Sequence, residues 1–183
     1  VQTRYTTSGS RSTRNIPPQY LRTTRGFFGL VHNGNIPNIQ QKKRDLELVS
    51  GGEVRFSEQG SDHANDTEYM LKYIVYLAQQ RDWDMLKAIR MFMQVTNGTY
   101  SAALLTDDVV YVFRDPWGNR PLFYANPEES HTVYIGSETH AFRHVPHLRP
   151  REVEPGSIMC VQGGRIVRED GVMAKIPAAH CVF

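Results

Sequence analysis

The spacing of apolar and polar positions changes rhythm along the chain. Gly26–His32 reads GFFGLVH, a short apolar run framed by glycine, which is the pattern of a buried strand. Asn33-Gly34 follows as a turn signal, and Ile36–Val49 predicts a short helix with a polar face, closed by Gly51-Gly52. From Asn65 the period is helical. Met70, Leu71, Ile74, Val75, Leu77 and Ala78 recur on one face behind Asn65-Asp66-Thr67-Glu68, which supplies a cap and an acidic first turn. A second helix is predicted through Trp83–Val95, with Met85, Leu86, Ile89, Phe92 and Met93 on one side and a break at Asn97-Gly98. After that the chain turns strand-rich: Tyr100–Leu105, Val109–Arg114, Pro121–Tyr124, Thr132–Gly136, Ser157–Val161 and Arg165–Arg168 are β-branched or aromatic runs. Asp107-Asp108 and Gly163-Gly164 read as hairpin turns, and Glu138–Arg143 as a short helix. Helices and strands segregated in this way predict an α+β fold.

Composition narrows the class without naming a function. The chain has 183 residues, 40% hydrophobic and 22% charged, enough for one globular domain with a sizeable core. No apolar run approaches the about 18 residues of a membrane span, so no transmembrane helix is expected. Two cysteines, Cys160 and Cys181, are too few for a disulfide framework or a paired-cysteine metal site, which favours a reducing, cytoplasmic setting. The net charge of +2 hides an asymmetry: residues 1–44 hold eight of the 21 basic residues and none of the 19 acidic ones. This arm is Arg- and Ser-rich like an organellar transit peptide, but it also carries one of the motifs below. It lacks the basic run interleaved with aromatics that nucleic-acid binding uses, and nucleic acid is not expected as a partner. The chain opens on Val1 and stops at Phe183 inside a strand-like Cys-Val-Phe, so both ends are expected to be cuts in a longer protein.

Five short motifs carry candidate chemistry: Arg4-Tyr5-Thr6-Thr7-Ser8-Gly9, His32-Asn33-Gly34-Asn35, Asn65-Asp66-Thr67-Glu68, the run RDPWGNRPL over 114–122, and SETHAF over 137–142. Taken singly, each has a plain structural reading as a solvated arginine, a turn or a helix cap. Taken together they suit a free amino acid. A guanidinium binds a carboxylate in bidentate fashion, a carboxylate at a helix start receives an ammonium, and a side-chain amide beside a backbone N–H stabilises the oxyanion of acyl transfer. A glycine after the amide lets backbone approach the ligand.

In this order and spacing the five motifs resemble the glutaminase domain of the glutamine phosphoribosylpyrophosphate amidotransferase family, whose members are class II, N-terminal-nucleophile amidotransferases. The resemblance spans essentially the whole chain and extends to Val153-Glu154-Pro155-Gly156 and Cys181-Val182-Phe183. It implies a four-layer αββα sandwich and hydrolysis of glutamine to glutamate and ammonia. Carried over by motif, Arg4 holds the glutamine carboxylate with Thr7 beside it, Asp66 binds the α-ammonium, and the Asn33 side chain with the Gly34 N–H forms the oxyanion hole. Residues 1–183 then correspond to an amidotransferase domain truncated at both ends. The phosphoribosyltransferase domain, with its Mg2+, is expected outside this chain. The implied partners are glutamine, the rest of the polypeptide and further copies in a homo-oligomer, with no membrane involved.

Three departures qualify the resemblance. The family's nucleophile is a cysteine at the mature N-terminus, whose own amine can serve as base; here residue 1 is Val, and the first cysteine is Cys160, in a predicted strand with no amine beside it. The HRG-type segment that precedes RYTTSG in relatives and the following transferase domain are also absent from the chain. A cysteine placed like Cys181 occurs in relatives with and without an iron–sulfur cluster, and no cluster or other cofactor is expected here. Hexosamine-forming amidotransferases, which read R-W-A-T-H-G and H-N-G-I, fit less well at Tyr5 and Asn35. The alternative is a relative without catalysis, kept as a structural or regulatory subunit.

Overall fold

A computed structural model describes residues 17–56, 65–127, 130–145 and 147–173. Strand β1 (Gln19–Thr23) pairs antiparallel with the long β2 (Gly26–Asn35). Three helices follow, α1 (Ile39–Val49), α2 (Asp66–Gln79) and α3 (Met85–Val95). The chain then enters β3 (Thr99–Leu105) and β4 (Val110–Arg114), leaves the sheet to build β5 (Phe123–Ala125), β6 (Tyr134–Gly136) and β7 (Arg151–Glu152), and returns as β8 (Ser157–Gln162) and β9 (Arg165–Gly171). The result is a six-stranded antiparallel sheet in the order β1-β2-β3-β4-β8-β9 and a three-stranded sheet in the order β6-β5-β7. One 3-10 turn, Thr139–Phe142, packs against β6. Among the described residues, no helix is long and apolar enough to cross a membrane.

Strand alternation divides the large sheet into two faces. Tyr100, Ala102 and Leu104 of β3, Phe113 of β4, and Ile158 and Cys160 of β8 pack with α2 and α3 in one core. Their neighbours Val112, Met159 and Val161 turn the other way, into a smaller core with Leu122, Val153 and the half-buried Tyr124. The helices therefore cover one face and the small sheet approaches the other, the α+β layering that the segregated pattern predicts. Both helices carry the expected apolar stripe, and each is capped from its own sequence: the Asn65 Oδ1 accepts from the Glu68 N–H at 3.0 Å, and the Asp84 Oδ1 from the Lys87 N–H at 2.9 Å.

The helix α1 is fixed to α2 by charge as well as by apolar contact. Lys43, 4% exposed, reaches the Glu68 Oε2 at 3.3 Å, and Lys72 reaches the Oε1 of the same carboxylate at 2.8 Å. Both ammonium groups also lie over the Phe56 ring. One carboxylate shared by two lysines offsets the cost of burying the Lys43 side chain.

Two elements escape the pattern in the sequence and one signal misleads. Strand β1 lies within the basic, Ser/Thr-rich arm, and β7 is a two-residue bridge. Asn33-Gly34 is not a turn: it lies inside β2, with Asn33 paired to Ser101 and Gly34 to Tyr100. A Cβ on Gly34 would stand 1.9 Å from the Thr99 carbonyl oxygen. The glycine serves close strand approach here rather than chain reversal.

Candidate functional site

The described part of the site is built where the end of β2 meets the start of α2. His32 is on the helix-facing side of β2, its side chain 6% exposed. Its Nδ1 lies 2.8 Å from the Thr67 Oγ1, and its Nε2 3.3 Å from the Asp66 Oδ2. A carboxylate only accepts, so a hydrogen on Nε2 suits Asp66, and Nδ1 then accepts from the Thr67 hydroxyl. The Asp66 Oδ2 also accepts from the Ile36 N–H at 3.3 Å. Burial pushes the Asp66 carboxyl up, but the hydrogen bond and charge of His32, followed by the N–H groups of Ile36 and of Asp66 itself, overcome it and hold the group below its usual value. Asp66 is thus an ionised carboxylate in the first turn of a helix, partly open to solvent.

Asn33 is exposed. Alternation turns it to the face opposite His32, the side on which its partner Ser101 donates to the Arg120 and Pro121 carbonyls at 3.2 and 2.9 Å. Asn33 and Asp66 therefore flank the same end of β2 from its two faces, with Gly34 between them bearing no side chain. Arg4 and Thr7, and the RYTTSG motif as a whole, lie outside the described residues, as does Cys181.

His32 and Thr67 have no role in the sequence reading, although both lie inside quoted motifs. Their signal was available: HNGN and NDTE each place a polar side chain next to the residue of interest, and the fold joins the two motifs through that pair.

The RDPWGNRPL stretch proves to be scaffold. Arg114 is 2% exposed and ends β4. Its Nε donates to the Arg120 carbonyl at 2.7 Å, its Nη2 to Gly118 at 2.8 Å, and its Nη1 to the Val153 carbonyl at 2.6 Å and the Glu152 carboxylate at 2.8 Å. Asp115 accepts from the Tyr100 N–H at 3.1 Å and the Trp117 N–H at 2.9 Å. Burial pushes its carboxyl up against those bonds. One guanidinium therefore ties the point where the chain leaves the large sheet to the point where it returns. Gly118 has φ +64, and a Cβ there would come within 2.6 Å of the Pro155 ring, so the turn closes only on glycine.

Cys160 is buried in β8 on the helix-facing side, and burial pushes its thiol up. A buried thiol of raised pKa is a poor nucleophile.

Residues 14–144 match the family model of the glutamine amidotransferase domain. The amidophosphoribosyltransferase of Methanocaldococcus jannaschii is 27% identical over 164 residues, which are 90% of this chain and 32% of that protein. Amidophosphoribosyltransferase 2 (chloroplastic) of Arabidopsis thaliana is 30% identical over 193 residues, 98% of this chain and 30% of that protein. The structure of glutamine phosphoribosylpyrophosphate amidotransferase from B. subtilis superimposes with a TM-score of 0.74 at 25% identity, over 98% of this chain and 36% of that one. The chain spans about a third of the length of the relatives it matches. With the domain model covering most of its length and the fold agreeing, the chain belongs to the glutamine amidotransferase domain family.

Proposed function

We propose that this chain is the glutaminase portion of an amidotransferase that supplies ammonia to phosphoribosylpyrophosphate, forming phosphoribosylamine in purine biosynthesis. The observation that carries the reading is Asp66: an ionised, partly exposed carboxylate at the start of α2, held against the end of the strand that bears Asn33 and Gly34. In this reading Asp66 receives the α-ammonium of glutamine. Arg4, with Thr7 beside it, holds the carboxylate. The Asn33 amide and the Gly34 N–H stabilise the oxyanion when the side-chain carbonyl is attacked. The attacking cysteine and the phosphoribosyltransferase domain, with its Mg2+, belong to a longer protein, which assembles as a homo-oligomer in the cytoplasm or an organelle. Residues 1–183 alone turn over no glutamine, because Cys160 is buried in the core between the large sheet and the helices.

Calorimetric titration of the chain with L-glutamine tests this reading. Asp66→Asn should weaken binding roughly 10- to 100-fold, the loss expected when a charged hydrogen bond becomes neutral. In the longer protein, Asn33→Ala should lower turnover by about 10²–10³. An Asp66→Asn chain that binds glutamine as the parent does would refute the assignment. Glutamine binding with no turnover in the longer protein would leave a ligand-sensing subunit instead.

A further inference from the structure

The glutamine site as proposed leaves one buried polar side chain without a task. His32 stands behind Asp66, 6% exposed, with one ring nitrogen on the Thr67 hydroxyl and the other on the Asp66 carboxylate. We infer that His32 is the positioning residue for Asp66: it aims the carboxylate at the substrate ammonium without touching the substrate. This inference rests on the reading of the site given above.

The geometry supplies the reasons. The Ile36 N–H and the His32 Nε2 both fall on Oδ2, each at 3.3 Å. Neither contact takes Oδ1, the oxygen assigned here to the incoming cation. A carboxylate held at one oxygen rotates little about its terminal torsion, which is otherwise broad, so the second oxygen keeps one direction. The ring cannot swing away, because Thr67 holds its other side at 2.8 Å and Thr67 is the next residue along the same helix turn. Strand and helix are thus stitched at one point, and that point is the carboxylate. With a hydrogen on Nε2 the ring meets both contacts.

Asp66 meets only the ammonium of the ligand, so the test compares two ligands that differ there. L-Glutamine and glutaramate share the carboxamide and the carboxylate; glutaramate lacks the α-ammonium. Both are titrated into the full chain by calorimetry, with thermal unfolding monitored alongside. His32→Asn is too short for its amide to reach the carboxylate. It should lose roughly ten-fold or more in glutamine affinity and leave glutaramate affinity unchanged. His32→Gln places an amide N–H near the position of Nε2 and should recover most of that loss. Thr67→Val, which frees the ring but keeps it, should cost glutamine roughly two- to ten-fold. Equal loss of both ligands in His32→Asn, with no recovery in His32→Gln, would reduce the histidine to a packing residue and overturn the inference. So would unchanged glutamine affinity in a folded His32→Asn chain. If His32→Asn fails to fold, the Gln and Val variants decide alone: glutamine affinity unaltered in Thr67→Val and lost in His32→Gln refutes the arrangement. A parent chain that binds glutamine no better than glutaramate would instead remove the ammonium role of Asp66, and this inference with it.

Discussion

Replacing Arg114 by methionine isolates what the buried guanidinium contributes. Methionine keeps most of the aliphatic stem and removes every donor. Arg114 serves three carbonyls, those of Gly118, Arg120 and Val153, together with the Glu152 carboxylate. The Arg120 carbonyl keeps the Ser101 hydroxyl at 3.2 Å. The Gly118 and Val153 carbonyls lose their donor. A buried acceptor stripped of its partner costs about 1–3 kcal/mol, so the two together cost about 2–6 kcal/mol. Glu152 adds little, because its side chain is 38% exposed and water can replace the arginine. Urea unfolding of the parent and Arg114→Met chains measures the difference directly. At about 2–4 °C per kcal/mol for a domain of this size, the melting temperature should fall by roughly 5–20 °C. Glu152→Gln, the control for charge alone, should cost under about 1 kcal/mol. Two results would refute the reasoning: an Arg114→Met chain within about 1 kcal/mol of the parent, or a Glu152→Gln chain as unstable as Arg114→Met. In either case the loop carbonyls are not what the arginine serves.

Two further outcomes follow from the site. Gly34→Ala puts a methyl group 1.9 Å from the Thr99 carbonyl oxygen, backbone that has little room to yield; it should destabilise the chain by about 1–3 kcal/mol or more and open the β2–β3 ladder, visible as faster exchange of the amides that bridge those two strands. The Asp66 carboxyl is held below its ordinary 3.8 in the folded chain, so the stability it contributes is present above that value and is lost as pH falls through the folded value. The unfolding free-energy difference between parent and Asp66→Asn should therefore stay flat from about pH 7 to 5 and shrink below 3.8; a difference that grows on acidification would reverse the assignment.

Much of this architecture is legible in residue order, for physical reasons that differ from element to element. The helices α2 and α3 announce themselves because their apolar stripes must cover a sheet and their caps are local: Asn65 and Asp84 act three residues from where they sit. The paired acids and glycines of the β3–β4 and β8–β9 turns are equally local. Strand β1 stays hidden because Tyr20 and Arg22 lie exposed and only Leu21 packs on the main core, so its period is faint. Asn33-Gly34 misleads because the dipeptide that favours a turn also suits a strand whose neighbour comes within contact distance, and only the partner strand decides. The role proposed for Asp66 comes from its place in a motif. Its support by His32 could not be read there, since 34 positions separate them in the chain and the contact exists only after α2 docks on β2.

The notch at Gly34 has a consequence for how such a site can change. Odd and even positions of β2 look to opposite sides, so sliding this strand by one residue against β3 would exchange the surroundings of His32 and Asn33. It would also carry a side chain into the space opposite Tyr100 that now admits hydrogen alone. The glycine thus works as a key cut for one alignment. Insertions or deletions between Arg25 and Asn35 that slide the strand by one or two residues against β3 are blocked at this position, whatever happens in the loops, and lengthening of the chain should accumulate beyond α1 or outside β1 instead.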